Sequence, residues 1–150
     1  MSLKELLKWP LIVAAAVVVL RVITERAGAP GPVNSMLSVV ALHTLLGPLY
    51  FAILIGRTGS PHPYRTLFAA IFLYVVGTRA MVLPTYWLAR IYRWPEPRFA
   101  GLADSPPFVG FVSIPFGTAG IWICISLVIG GAIATIVLTI ARTSIRQPAT

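Results

Sequence analysis

Formal charges are absent from residues 27–56 and from residues 105–141, and a single one, Arg79, interrupts residues 66–89. A soluble domain needs charged side chains at shorter intervals to cover its surface. A helix of about 20 apolar residues, in contrast, crosses roughly 30 Å of hydrocarbon. Residues 9–20 form a fourth, shorter uncharged run, which Lys8 and Arg21 extend by reaching toward either interface. The sequence therefore predicts an all-α integral membrane protein, a bundle of four transmembrane helices near 6–24, 35–56, 66–90 and 117–141, forming one domain over residues 1–150. Composition agrees. Hydrophobic residues make up 57% of the chain and charged ones 11%, with a mean hydropathy of +0.86, whereas soluble domains carry about 25% charged residues.

Twelve Lys and Arg against four Asp and Glu give a net charge of +8. Apart from Arg79, these charges fall at or near the ends of the apolar runs and form no compact basic face, which argues against nucleic-acid binding and for contact with anionic lipid headgroups. The expected location is the cell membrane, with the lipid bilayer as partner. With the N-terminus inside, Lys4, Lys8, Arg57, Arg65, Arg142 and Arg146 are cytoplasmic and Arg21, Arg26, Arg90, Arg93 and Arg98 lie opposite, six against five. The positive-inside rule then favours both termini on the cytoplasmic side by a narrow margin. Residues Ala27-Gly28-Ala29 resemble a cleavage site after a signal peptide, but Arg21, Glu25 and Arg26 charge the segment that should be neutral, so a retained anchor helix is expected. Asn34 or Ser35 is the expected N-cap of the second span, and the proline-rich residues 92–116 are expected to be extended.

The reactive side chains exclude several classes of chemistry. Cys124 is the only cysteine, so intramolecular disulfides and cysteine-ligated clusters are ruled out. Two histidines and no clustered carboxylates leave no protein-only metal site. The four acids, Glu5, Glu25, Glu96 and Asp104, lie outside the spans or at their edges, so no intramembrane carboxylate serves a proton relay or a Ser–His–Asp constellation. No catalytic residue is assigned, and the enzyme reading is the weakest of three.

Two helix-packing signals stand out. Ser126, Gly130 and Ala134 follow at intervals of four on the fourth span, a row of small residues that lets another backbone approach. Gly131, Thr135 and Thr139 make a second row beside it. These rows serve contacts inside the bundle, or a homo-oligomer seam or docking face for another membrane protein. The second and third spans also echo each other: His43 precedes Pro48 by five and Tyr50 follows, while Arg79 precedes Pro84 by five and Tyr86 follows. Each proline frees a carbonyl, that of Thr44 or Ala80, and invites a kink.

A candidate ligand site follows from depth. His43 lies thirteen residues before Gly56 and Arg79 thirteen after Thr66. Across a hairpin, both then sit about 20 Å below one interface at 1.5 Å per residue. Steps of seven and eleven place Phe68, Phe72, Arg79, Tyr86, Arg90 and Arg93 in one sector of the third helix, with Arg90 and Arg93 expected to reach the headgroups. An arginine inside a span marks a functional site by default. The pair His43 and Arg79, with Tyr50 and Tyr86 as further donors, suits a carboxylate, phosphate or quinone oxygen. No cofactor is identified. The expected function is an accessory or assembly subunit of a larger membrane complex, with a binder or transporter of an anionic or quinone-like ligand as the alternative.

Overall fold

The first span is set by signals at both of its ends. In the computed structural model, which describes residues 2–58 and 60–146, it runs Leu3–Arg26. A capping box starts it: Ser2 Oγ accepts from the Glu5 amide at 3.3 Å and Glu5 Oε2 accepts from the Ser2 amide at 2.7 Å. Gly28, at φ +75°, stops it. Its amide reaches the Glu25 carbonyl (3.1 Å) and that of Ala29 reaches Thr24 (3.0 Å), the paired bonds of a Schellman turn that needs a left-handed residue. Ala27-Gly28-Ala29 is thus a helix stop in the fold.

The second span, Gly31–Arg57, is interrupted twice. Gly31–Met36 is helical after Pro30, so Asn34 is not the N-cap, and neither is Ser35. The Asn34 amide nitrogen instead bonds the Ala29 carbonyl and its oxygen accepts from the Thr24 hydroxyl, both at 3.0 Å, tying the turn between spans. After a break, Ser38 Oγ accepts from the Val40 amide (3.2 Å) and restarts the helix at Val39–Ala41. Leu42–Leu46 then forms a π turn, with the Gly47 amide bonded to Leu42, before the helix runs on as Gly47–Arg57. Pro48 has no amide proton, so one bond is missing from this ladder, and the widened turn takes up an extra residue.

The third span, Pro63–Ile91, passes through Pro84 as a single helix. The echo between the two spans therefore does not extend to the backbone. Nor does the aromatic–arginine sector share one environment: Phe68 and Phe72 are exposed, whereas Arg79 is buried. The helix closes with a second Schellman turn, in which Arg93 takes the left-handed position at φ 50° and Trp94 bonds the Ala89 carbonyl at 2.9 Å.

Residues 97–99 form one 3₁₀ turn, and the expectation of extended chain through residue 116 fails at its C-terminal half. The Pro106 carbonyl accepts from the Gly110 amide (2.9 Å), Val109–Ser113 is a π turn and Ile114–Arg146 continues as helix. Pro115 frees the carbonyl of Phe111, and the Trp87 indole donates to it at 3.0 Å. Pro107 and Pro115 are built into helix rather than ending it. Arg90 folds onto the connection instead of extending outward, donating to Ser105 Oγ and to the Ser105 carbonyl at 2.8 Å, and to the Leu102 carbonyl. Phe99 and Leu102 are buried against Ala89.

The four helices, each long and apolar enough to cross a membrane, pack around Leu6, Phe51, Ile55, Leu67, Ile71, Tyr74 and Leu138. Among the described residues there is no strand. The small row on the fourth span is used here. Ser126 and Ala134 are fully buried, and a Cβ on Gly130 would lie 2.8 Å from both Pro48 Cγ and the freed Thr44 carbonyl. The neighbouring row meets the third span, through Phe68 against Gly131 and a 3.0 Å bond between Tyr64 and Thr139.

Candidate functional site

The π turn carries His43 into the bundle, where it is fully buried. Arg79, from the middle of the third span, is 7% exposed and directs Nη2 to His43 Nε2. The counted depths of the two residues therefore correspond to a direct contact. On the other side of the ring, His43 Nδ1 lies 2.6 Å from Ser126 Oγ, which is 3.0 Å from Thr44 Oγ1.

Donor chemistry orders this chain of bonds. A guanidinium only donates, so His43 Nε2 must present its lone pair and Nδ1 carries the proton, which it gives to Ser126. The Ser126 hydroxyl faces an N–H rather than a base and has no access to solvent, so this contact is not a nucleophile–base pair. Its effect is positional: the second and fourth spans fix the imidazole, and the imidazole fixes the guanidinium. Trp122 adds a face, with its ring 5.5 Å from Arg79 Cζ.

Arg79 has no acid partner among the described residues, where ion pairs join Arg21 and Arg98 to Glu25 and Arg26 to Glu96. Its only hydrogen bond there is to His43, and its buried Nε has no partner. Nearby hydroxyls are engaged elsewhere, Thr78 with the Tyr74 carbonyl and Thr85 with that of Val82, each at 2.7 Å.

A cavity of about 340 Å³ opens beside this guanidinium. Arg21 reaches it from the first span and Ser38, Val39 and Val40 from the broken part of the second. Arg79, Val82 and Tyr86 line it from the third, Arg98 from the connection and Trp122 from the fourth. Glu25 binds two of these arginines at the rim: Arg21 Nε to Oε1 at 3.0 Å and Arg98 Nη2 to Oε2 at 2.7 Å. Burial lowers the Arg98 pKa from its usual value, with Glu25 opposing that shift.

Of the four side chains named from the sequence, Arg79 and Tyr86 line this cavity and His43 stands behind Arg79. Tyr50 does not join them. It lines a separate, mainly apolar cavity of about 300 Å³ with Trp9, Leu46 and Tyr74. Sequence reasoning missed Arg21, Arg98 and Trp122 as site members, and read Ser126 only as a packing residue. The spacing of Arg21 and Glu25, one helical turn apart, was the available signal that an ion pair survives at that edge.

No family model, curated protein or solved structure matches this chain. The class it defines is therefore stated from its own geometry: an all-helical bundle of four apolar helices, each long enough to cross a membrane, with an arginine-lined cavity.

Proposed function

We propose that this protein is a multi-pass membrane protein of the cell membrane, with both termini cytoplasmic, that binds an anionic small molecule beside Arg79. One observation carries the reading. A buried arginine with no acid partner among the described residues lines a cavity shared with two further arginines. A charge held in low dielectric is costly, and an anionic ligand offsets that cost while supplying the missing acceptor. The volume falls within the ordinary range for small-molecule sites, roughly 300–1,000 Å³.

The reading as an accessory subunit docking through its fourth helix has less support. One of its sequence arguments, the row Ser126, Gly130 and Ala134, meets the second span of the same chain at Gly130. A neutral quinone would accept a hydrogen bond from Arg79 but would leave the local positive charge unbalanced.

Protein purified in mild detergent and examined by native mass spectrometry should carry an anionic adduct that Arg79→Leu loses. An adduct retained equally by Arg79→Leu, or a wild-type protein that captures no added anion, would refute the assignment. Stoichiometric retention of a protein partner without any small adduct would instead favour the subunit reading.

A further inference from the structure

We infer that the cavity takes a phosphate monoester carried on an apolar group, a ligand assignment that rests on the anion-binding reading above. Charge is the first argument. Arg21, Arg79 and Arg98 bring three positive charges to the cavity and Glu25, bound to two of them, brings one negative charge. Two positive charges remain. Arg26 and Glu96 pair with each other and leave this balance unchanged. A carboxylate or a phosphate diester brings one negative charge, whereas a phosphate monoester brings about −1.5 to −2 at neutral pH.

Donor geometry points the same way. Guanidinium groups present planar forks matched to phosphate oxygens, and Arg79 has at least Nε and Nη1 without hydrogen-bond partners among the described residues. Tyr86 and Ser38 belong to the same lining. Val39, Val40 and Val82 add an apolar wall to the same lining, and the Trp122 ring stands against Arg79 itself. That wall suits the carrier of the phosphate, either the acyl-bearing part of a membrane lipid or the organic group of a soluble ester.

The test uses full-length protein in two settings. In nanodiscs of phosphatidylcholine, native mass spectrometry compares retention of phosphatidic acid, a monoester, with phosphatidylglycerol, a diester. In detergent, calorimetric titration compares phenyl phosphate with benzoate. The monoester is expected to be favoured about tenfold or more, the equivalent of roughly 1.4 kcal/mol for one further charge-assisted contact. Lipid binding without phenyl phosphate binding assigns the lipid source; the reverse assigns the soluble one. Both support the inference.

Two variants read the charge balance directly. Arg98→Gln lowers the excess to one and should remove the preference for monoester over diester, while Glu25→Gln raises it to three and should strengthen that preference. Circular dichroism confirms that each variant is folded, and the two opposite shifts keep the test decisive if Arg79→Leu fails to fold. Equal affinity for monoester and diester, with binding still dependent on Arg79, would overturn this inference and leave the anion site standing. Absence of any Arg79-dependent anion binding would overturn both.

Discussion

Gly130→Ala measures how closely the second and fourth spans approach. The added Cβ would lie 2.8 Å from Pro48 Cγ and 2.8 Å from the Thr44 carbonyl oxygen. Neither neighbour is a flexible side-chain end: one belongs to a ring and the other to the backbone. The helices must therefore separate by several tenths of an ångström, and overpacking of this kind costs about 1–3 kcal/mol. Replacing glycine by alanine also favours the helix by roughly 0.5–1 kcal/mol, so the variant alone understates the clash. Gly120→Ala on the same helix supplies the control, because nothing lies within 4 Å of its added Cβ. Unfolding by sodium dodecyl sulfate in mixed micelles, followed by circular dichroism, should show Gly130→Ala less stable than Gly120→Ala. The expected gap is about 2 kcal/mol, near thirtyfold in the unfolding equilibrium. If the two variants shift together within about 0.5 kcal/mol, the close approach at Gly130 is refuted.

Trp87→Phe should leave the Phe111 carbonyl, freed by Pro115, without its indole donor, costing about 1 kcal/mol; hydrogen exchange around the Val109–Ser113 turn should quicken while the core near Tyr74 stays protected. Arg90→Met removes the hydrogen bonds to Leu102 and Ser105, each charged bond being worth roughly 1.5–3 kcal/mol. Trypsin should then cut at Arg93 or Arg98 at least about tenfold faster, and an unchanged cleavage rate would argue against the clasp.

The four helices were legible because charge spacing reports helix length directly. Their ends were less so, for a reason visible at Pro48 and Pro115. Proline reads as a stop, yet each of these comes just after a π turn, Leu42–Leu46 and Val109–Ser113, that admits it into a continuing helix. The same turn explains why Tyr50 and Tyr86 part company despite matching sequence positions. One extra residue in a turn rotates the remainder of the helix by about 100°, and of these two spans the second carries it ahead of its proline while the third does not. Counting residues sufficed to place His43 and Arg79 at one level, because one helix ends and the other begins at the same short loop. It could not place Arg98, whose approach to Arg21 and Glu25 depends on the connection folding back through Phe99 and Leu102. That return path is set by tertiary packing, with no periodicity to announce it.

The choice of histidine as the partner of Arg79 has a consequence for the cavity. A carboxylate in that place would fix the guanidinium equally well but would cancel its charge, leaving a closed ion pair inside the bundle. His43 accepts through Nε2 as a neutral ring and is itself held by Ser126 through Nδ1. The guanidinium is thereby oriented without being neutralised. Glu25 stands nearer the end of the first span, where it joins Arg21 to Arg98 and leaves Arg79 alone. Acid is thus supplied where two arginines lie side by side, and withheld from the third, the one that meets the anion in the proposed function. Under the proposed function, the uncompensated charge costs the bundle stability and the bound anion offsets that cost. That function therefore links anion binding to bundle stability through Arg79, and predicts that the bound state is the more stable one.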